Sequence, residues 1–373
     1  MAYWSGLAFL ASQLVAFLGL IVVGRSYDDL CRWDCNWYRM IVERGYDLEP
    51  MIGPRADFAT WTFFPAIPVL GHLVVTLTGV SAPLALILVG KFSFALSIYW
   101  FIRFCGVYRP RIDSRVAACV VALQPYAIYG NVGYTEPLFL AVTCATLVLA
   151  REGKVIGAGL AAGLGSLVRL PAVFLAPALA ARLWVPAVTA RRLPEPRSVL
   201  AVMLAPLGLT LFSLYLFAHV GDGLAFFHVL RAWGKTVTDP FGELAPGLLE
   251  GVNLLHRLPA LVFTAEPVQA LREFGAHRAY YAVTAVVALV AVASFARNRD
   301  YDLLVFSLGV ILTPLAIHLA SMPRYVWWQA PILLLAACAV SARRRYAVAY
   351  FCASAVVTPI TYAGWFSELA FVT

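Results

Sequence analysis

The sequence predicts an all-α integral membrane protein that crosses the bilayer many times. Hydrophobic residues make up 62% of the 373 residues, charged residues make up only 13%, and the mean hydropathy is +0.80. A soluble domain carries roughly 25% charged residues. Apolar runs follow one another from Trp4 to Thr373 without a long polar block, which leaves no room for an appended soluble domain. We therefore expect a single transmembrane domain over residues 1–373.

The apolar runs correspond to about eleven crossings of the membrane. The first run is expected to remain as a helix, because it lacks the basic start and the small-residue cleavage site of a signal peptide. Two longer connections, 25–62 and 220–278, form the first and second external loops and are expected to contribute to the active-site face. The predicted crossings are 4–24, 83–104, 116–130, 137–150, 155–168, 171–184, 199–219, 279–296, 302–319, 326–341 and 346–365.

The orientation follows from basic residues that cluster in five of the connections. The positive-inside rule places all five clusters in the cytoplasm. They hold just over half of the 28 Lys and Arg residues but only five of the 20 Asp and Glu residues. The opposite, external side therefore carries most of the acids. The clusters are Arg103/Arg109/Arg111/Arg115, Arg151/Lys154, Arg182/Arg191/Arg192/Arg197, Arg297/Arg299 and Arg343/Arg344/Arg345.

Two apolar runs do not fit a simple crossing. Between the first crossing and the cluster at Arg103 only one crossing is allowed, yet the run 63–80 adds a second. This run contains prolines and glycines, so we expect a re-entrant or interfacial helix on the external side. The run 155–183 is basic at both ends and interrupted at Arg169, which predicts two short half-helices with Arg169 at the outer turn.

The segment RWDCNWYRMIVERGYD, residues 32–47, directly follows the first crossing. Asp34 is placed to cap the start of a helix over 35–44, with Gly45 just beyond its end. One face of this helix would lie in the membrane interface with its aromatic side chain at headgroup depth. Asp34 can be a capping acid or a catalytic carboxylate, and the two roles are compatible because a cap keeps the carboxylate ionised. The interfacial face carries Trp37, Met40, Ile41 and Arg44.

Four more polar residues fall on the external side. Glu136 begins a crossing, where the helix dipole favours an acid. Arg169 interrupts an apolar run; a charge at mid-membrane costs at least about 2.5–3.5 kcal/mol, so it requires an ionic partner such as Glu136 or an aqueous cavity. Arg324 and His318 lie at the external ends of the last helices beside tryptophans, which fits an aromatic belt with a snorkelling Arg as well as a binding site.

The cysteines and histidines offer no metal site. Five of the seven Cys fall in or beside apolar runs, where Cys behaves as a small hydrophobic residue. Cys31 and Cys35 lie near the surface, and their separation across a helix start gives poor disulfide geometry, so we expect free thiols. No CxxC pair or His cluster has the spacing of metal ligands, and we expect no metal.

Together these signals place a carboxylate, two arginines and aromatic side chains at one membrane face. That combination suits a phosphate-bearing lipid, because Arg binds phosphate through forked hydrogen bonds. An ionised Asp can take the proton of an acceptor hydroxyl while the lipid phosphate leaves.

Five segments, taken in order along the chain, resemble those of the PIG-V family, which are GPI-mannosyltransferase-like enzymes of the GT-C glycosyltransferase class. They are RWDCNWYRMIVERGYD, FFPAIP, LQPYAIYGNVGYTEPLF, SLVRLPA and MPRYVWWQAP.

The resemblance implies a GT-C-like membrane enzyme that transfers a sugar, usually mannose, from a polyprenyl-phosphate donor, with inversion at the anomeric carbon. The Trp-Asp motif of the family matches Asp34, which implies that this residue is the catalytic acid of the first external loop. The Glu of its Tyr-Ser-Glu motif matches Glu136, with Thr135 in place of Ser. Its Pro-Arg motif near the C-terminal end matches Pro323 and Arg324.

We interpret Asp34 as the general base on the acceptor hydroxyl, Arg324 and Arg169 as ligands of the donor phosphate, and Glu136 as a residue that orients the acceptor or pairs with an Arg. The expected partners are a polyprenyl-phosphate sugar donor, a lipid or glycan acceptor and membrane lipids, without nucleic acid and without a cofactor. Further expected substrate contacts are Tyr134, Trp33, Trp37, Phe64 and His318.

The strong preference for Arg over Lys favours a GC-rich bacterial source, which predicts the inner membrane and an active site on the periplasmic face. One alternative is transfer of another sugar, such as glucose or aminoarabinose, from the same kind of carrier. A second is a lipid or solute transporter that uses the same external cavity, although a transporter should show related halves and paired broken helices. A third is a structural subunit without catalytic activity.

Overall fold

The computed structural model describes residues 1–53, 57–234, 239, 241–261, 276–317, 319 and 321–367. Across these residues the chain forms helices and no β-strand, which confirms the predicted all-α fold. The helices are α1 (Ala2–Val23), α2 (Asp34–Arg44), α3 (Ala66–Thr78), α4 (Ala82–Tyr108), α5 (Ser114–Ala122), α6 (Glu136–Arg151), α7 (Val155–Val168), α8 (Leu175–Thr189), α9 (Pro196–Leu204), α10 (Leu207–Val220), α11 (Ala225–His228), α12 (Leu244–Leu261), α13 (Ala276–Val292), α14 (Ser294–Arg297), α15 (Tyr301–Ile317), α16 (Met322–Trp327), α17 (Ala330–Ala342) and α18 (Arg344–Ser367).

Several of these helices are suited to a bilayer, and the protein is a multi-pass membrane protein. Within the described ranges, five are long and apolar enough to cross, and a sixth forms if α9 and α10, which meet at a bend of 43°, count as one. The shorter apolar helices α7, α15 and α17 span only about 20–26 Å at 1.5 Å per residue, less than the roughly 30 Å hydrocarbon core. The count of about eleven crossings therefore stays a prediction. The five long segments are Ala2–Val23, Ala82–Tyr108, Leu170–Thr189, Ala276–Arg297 and Arg344–Phe366.

The two irregular runs both form short elements. The run 63–80 contains α3, whose 13 residues cover about 20 Å and end at Gly79 in a left-handed conformation. Its re-entrant or interfacial position stays a prediction. The run 155–183 is broken at Arg169, as the sequence predicts: α7 ends at Val168, Arg169 is extended, and a 3₁₀ turn precedes α8. Pro171 cannot donate a backbone hydrogen bond, which prevents one continuous helix.

Small residues bring α7 into close contact with α9 and α10. A Cβ atom on Gly208 would lie 2.3 Å from the carbonyl oxygen of Gly163, and one on Gly159 would lie 2.5 Å from that of Ala201. Helix backbones approach this closely in membranes only where side chains are small. The packing holds α7 firmly, and therefore also fixes the position of Arg169 at its end.

Ionic contacts join helices at the end of the bundle that the basic clusters predict to be cytoplasmic. Asp300 accepts hydrogen bonds from Arg109 at 2.6 Å and from Arg151 at 2.7 Å. The hydroxyl of Tyr108 donates to Asp302, which is buried. The acids that the sequence places among the basic clusters thus neutralise some of those bases and connect α4 and α6 to the start of α15.

The start of α2 differs from the prediction. The helix begins at Asp34, one residue earlier than expected, and its cap is Trp33 in a left-handed conformation with φ 54°. No side chain caps the helix, so the prediction that Asp34 caps it is wrong. The end at Arg44, followed by Gly45, agrees with the prediction. Packing of α2 on α3 and α4 buries Cys35, Tyr38, Ile41 and Val42. Of the face predicted for the membrane interface, Ile41 is buried and the other three residues are partly or fully exposed, and the interfacial position of that face stays a prediction.

Cys31 and Cys35 form a disulfide, so the expectation of free thiols is wrong. The pair does not follow helix geometry, because Cys31 lies before α2 and the left-handed backbone of Trp33 reverses the chain between the two residues. Their Cα atoms are 5.1 Å apart, within the range that a disulfide requires. The bond fixes the turn that presents Asp34.

Replacing Cys31 and Cys35 together by serine is expected to lower the free energy of unfolding by about 2 kcal/mol, since a short closed loop restrains the unfolded chain only modestly. Mass spectrometry after alkylation of the denatured chain should show two more labels with reductant than without it. Cys352→Ser, at an exposed free cysteine, is the control and should leave the unfolding midpoint unchanged. Equal labelling with and without reductant would contradict the disulfide.

Candidate active site

Asp34 stands at the start of α2, in the first loop after α1. Its backbone N–H donates to the hydroxyl of Tyr134 at 3.0 Å, which ties the start of α2 to the loop that precedes α6. Its carboxylate remains 32% exposed and accepts a hydrogen bond from Arg324 Nη1 at 3.0 Å. The carboxylate is therefore fixed in position and open to a substrate at the same time.

Arg324 lies in the short helix α16, which begins after Ser321 in a left-handed conformation. Besides the contact with Asp34, its Nε atom lies 2.7 Å from Glu136 Oε1. The guanidinium also lies over the rings of Tyr134, at 5.3 Å, and Tyr129, at 5.6 Å. Two carboxylates and two aromatic faces thus hold one cation whose side chain is only 14% exposed.

Glu136 is the first residue of α6 and is fully buried. The same Oε1 atom that faces Arg324 accepts a hydrogen bond from Arg169 Nη1 at 2.9 Å. The Arg169 guanidinium lies 4.6 Å from the centre of the Tyr325 ring. The ion pair of Arg169 with Glu136, one of the two possibilities that the sequence allowed, is present in the structure. It leaves Arg169 at the break between α7 and the 3₁₀ turn, where it also faces a cavity.

The four charges alternate in the order Asp34, Arg324, Glu136 and Arg169, and their sum is zero. Burial by itself would lower the pKa of Arg324, but the carboxylates of Glu136 and Asp34 outweigh it and raise that pKa well above its ordinary value. Burial would also lower the pKa of Arg169, but the carboxylate of Glu136 outweighs burial and raises that pKa above its ordinary value. Both guanidinium groups therefore stay charged. Of the two acids, Asp34 is the one that a substrate can reach.

A cavity of 170 Å³ opens beside this row of charges. Asp34, Arg169 and Arg324 line it, and Glu136 lies behind them. Its other walls combine aromatic and aliphatic side chains with Thr and Ser side chains, and two of its residues, Phe226 and Leu230, come from the segment 220–278, which the sequence predicts to be the second external loop. Residues 262–275 of that loop lie outside the described ranges. The remaining lining residues are Tyr38, Thr62, Phe63, Phe64, Thr135, Val168, Leu170, Pro171, Thr313, Pro314, Ile317, Ser321 and Tyr325.

The aromatic residues selected from the sequence are placed differently from one another. Phe64 lines the cavity and packs on Phe226. Tyr134 supports Asp34 and Arg324 from behind. Trp37 and Trp33 are not among the lining residues; Trp37 instead stacks on Phe63 at 5.4 Å between ring centres. His318 lies outside the described residues.

Two of the lining residues that were not selected from the sequence lie next to members of the row of charges. Tyr38 follows Asp34 by one helical turn, and this spacing puts both on the same side of α2. Burial raises the pKa of Tyr38, so its hydroxyl stays protonated and can donate a hydrogen bond. Tyr325 follows Arg324 directly, and its ring supports Arg169. The i, i+4 relation to a selected acid was the available signal for Tyr38, whereas nothing in the sequence connects Tyr325 to Arg169.

No protein-family model and no curated protein sequence matches the chain. Among solved structures, the chain is similar to the apo form of the oligosaccharyltransferase of Archaeoglobus fulgidus, with a TM-score of 0.51 and 13% identity over 99% of this chain and 55% of that one. The same archaeal protein in complex with zinc and sulfate gives a TM-score of 0.49 and 15% identity over 88% and 48%. Its complex with an inhibitory peptide and a dolichol-phosphate gives 0.47 and 14% over 99% and 55%.

The chain therefore spans about half the length of the oligosaccharyltransferase that it resembles. At 13% identity the likeness concerns the fold, and it confirms the GT-C-like fold class that the sequence predicts. Membership of the PIG-V family stays a proposal, as does the part that each residue plays.

Proposed function

We propose that the chain is an inverting membrane glycosyltransferase of the PIG-V-like group, which moves a hexose from a polyprenyl-phosphate donor to a hydroxyl of a lipid or glycan acceptor. Mannose is the donor sugar that the sequence resemblance favours, and the periplasmic face of a bacterial inner membrane is the proposed place of reaction. The observation that carries the proposal is the partly exposed carboxylate of Asp34, held by Arg324 at the edge of a cavity that Arg169 also faces.

In the proposed reaction the acceptor oxygen attacks the anomeric carbon of the donor. The carboxylate of Asp34 takes the proton of the acceptor hydroxyl as the new C–O bond forms. The bond between the anomeric carbon and the phosphate oxygen breaks, and its electron pair leaves with the polyprenyl phosphate. Because attack and departure occur on opposite faces of the sugar, the configuration at the anomeric carbon inverts.

Arg324 and Arg169 are proposed to supply hydrogen-bond donors and positive charge to the leaving phosphate. A guanidinium has five N–H donors, and the bonds of Arg324 and Arg169 to carboxylates use only part of them. The remaining donors can bind phosphate oxygens and stabilise the negative charge that grows as the bond breaks. Glu136, shared by both arginines, keeps them in a fixed relation and is proposed as a positioning residue.

The walls of the cavity fit the other parts of the substrates. Phe63, Phe64, Phe226 and Tyr325 offer flat apolar faces suited to a sugar ring or a prenyl unit. The likeness in fold to an oligosaccharyltransferase adds support at the level of analogy, because one fold hosts many functions.

The test is transfer by purified protein in detergent with a membrane lipid extract as the acceptor source. Polyprenyl-phosphate-[¹⁴C]mannose should give a labelled lipid or glycan product, and GDP-[¹⁴C]mannose should give none. Product from polyprenyl-phosphate-glucose instead would revise the donor sugar only. Absence of product with every polyprenyl-phosphate hexose, together with protein-dependent passage of the donor across the bilayer of proteoliposomes, would favour the transporter and overturn the proposal.

A further inference from the structure

Tyr38 brings to the cavity beside Asp34 a hydroxyl group that the protein itself does not use. The residue lies on the buried face of α2, is only 5% exposed, and lines the cavity. In the part of the chain that the structure describes, no residue forms a hydrogen bond with this hydroxyl group. Buried polar groups nearly always have a hydrogen-bond partner, so an unused donor at a cavity wall indicates a ligand.

Two other hydroxyl groups that border the cavity are used by the protein. Thr313 donates to the backbone carbonyl of Gly309 at 2.9 Å. Tyr325 is engaged by Arg169, which it stabilises inside the bundle. Of the two tyrosines that line the cavity, Tyr38 is therefore the one whose hydroxyl group is available to a substrate.

The ring of Tyr38 is held in one orientation. It packs edge-on against Phe63 at 5.4 Å between ring centres, and Phe63 itself stacks on Trp37. The backbone carbonyl of Phe63 accepts a hydrogen bond from the hydroxyl of Tyr46 at 2.6 Å, which fixes that ring in turn. Because the contacts restrain Tyr38 before any ligand arrives, its hydroxyl group loses little freedom when it binds one.

Tyr38 follows Asp34 by one helical turn. The Cβ atoms of residues i and i+4 lie about 5–6 Å apart, and helical side chains lean toward the N-terminus of their helix. The ring of Tyr38 therefore lies on the same cavity wall as the carboxylate of Asp34. Burial, and after it the charge of Asp34, raise the pKa of Tyr38, so the hydroxyl stays protonated beside the carboxylate.

The parts of the substrates in the proposed reaction differ in what they require of this hydroxyl group. The phosphate is matched by the guanidinium groups of Arg169 and Arg324, which are stronger, charged donors. The reacting oxygen of the acceptor gives its proton to Asp34, and a second donor on that oxygen would lower its nucleophilicity. A neutral donor one turn from Asp34 instead suits a hydroxyl of the sugar, whose ring extends about that far from the anomeric carbon.

We propose that the hydroxyl group of Tyr38 donates a hydrogen bond to a hydroxyl that the donor sugar carries away from its anomeric carbon. Tyr38 would then determine which hexose is accepted, whereas Asp34 acts on the acceptor. This role rests on the proposed function, since it requires a polyprenyl-phosphate hexose in the cavity.

The first test measures the equilibrium binding of polyprenyl-phosphate-mannose to purified full-length Tyr38→Phe in detergent. Phenylalanine keeps the ring and its contact with Phe63, so the unfolding midpoint should equal that of wild type. Loss of one neutral hydrogen bond should raise the Kd of the donor about three- to tenfold, whereas the Kd of polyprenyl phosphate without a sugar should stay within about twofold. Tyr215→Phe, at an exposed tyrosine that does not line the cavity, is the control and should change neither Kd.

Deoxy donors identify the sugar hydroxyl that Tyr38 contacts. Wild-type protein should bind one of the 3-, 4- and 6-deoxymannose donors about three- to tenfold more weakly than the parent donor. Tyr38→Phe should lose no further affinity for that same deoxy donor, because both changes remove one hydrogen bond. For the 2-deoxy donor, which is altered beside the anomeric carbon, the effects of the two changes should multiply.

A negative result for Tyr38 can be told apart from a failure of the proposed function. The role of Tyr38 alone is overturned if wild type and Tyr38→Phe bind the donor equally, or if the sugar-free lipid is weakened by the same factor as the donor. Effects that multiply for every deoxy donor would also overturn it. Wild-type protein that neither binds nor transfers any polyprenyl-phosphate hexose would overturn the proposed function and the role of Tyr38 together.

Discussion

Asp34→Asn is expected to reduce the rate of sugar transfer by about 10²–10⁴-fold, the range that a positioned general base contributes. Asparagine has nearly the same shape, and its amide oxygen can still accept the hydrogen bond from Arg324, so α2 and the donor site should remain in place. The amide cannot take the acceptor proton, so binding survives while transfer fails. The measurement compares initial rates at saturating donor and, separately, the affinity for the donor.

The matched control is Glu43→Gln, which neutralises an acid on the same helix. The Glu43 side chain is 53% exposed and its nearest cation is Arg39, at 3.9 Å, so the transfer rate should stay within about twofold of wild type. A rate for Asp34→Asn close to that of wild type would remove Asp34 as the base. Loss of transfer accompanied by equal loss of donor binding would mean that Asp34 holds the donor site together instead of taking the proton.

Glu136→Gln is expected to lower the free energy of unfolding by about 3–5 kcal/mol, the effect of removing one member of a buried ion pair. Glu136 is fully buried and is the carboxylate that Arg169 and Arg324 share, so its loss leaves Arg169 as a buried cation without its ionic partner. Arg324 keeps Asp34. The measurement is the unfolding transition in detergent, followed by circular dichroism over a denaturant series.

A second substitution separates the lost charge pairing from lost packing. Glu136→Gln combined with Arg169→Met removes the uncompensated cation and should restore at least half of the lost stability, although donor binding should stay weak. Asp113→Asn is the control: this acid also stands at a helix start, but its ion pair with Arg115 is exposed, and asparagine keeps the cap, so the unfolding midpoint should not move. If the double variant is as unstable as the single one, the buried charge is not the cause.

The residues that form the row of charges could be selected from the sequence because a charge in an apolar run is costly and therefore conspicuous. Arg169 and Glu136 each interrupt or begin a stretch that otherwise reads as membrane helix, and Arg324 stands among tryptophans. The break at Arg169 and the short helix in the run 63–80 could be predicted for a related reason, since proline and charge both oppose a continuous span.

The start of α2, the disulfide and the choice of aromatic side chains that line the cavity depend on tertiary contacts, which no local sequence pattern predicts. The left-handed backbone at Trp33 decides both where α2 begins and whether Cys31 meets Cys35, and tryptophan gives no signal for such a conformation. The aromatic residues show the same limit: Phe64 and Trp37 look alike in the sequence, yet only Phe64 lines the cavity, because the packing of α2 on α3 turns Trp37 against Phe63.

The contact between Glu136 and Arg169 is also expected to influence how the chain enters the membrane during synthesis. Glu136 precedes Arg169 by 33 positions, so the ribosome synthesises Glu136 first, and α6 is complete before α7 ends next to Arg169. Glu136 is therefore already present when Arg169 is synthesised. The half-helices α7 and α8 can then insert as a hairpin without leaving an unpaired guanidinium in the hydrocarbon core. We therefore expect a circular permutation that places α7 ahead of α6 to insert less efficiently, because Arg169 would then be synthesised before the acid with which it pairs.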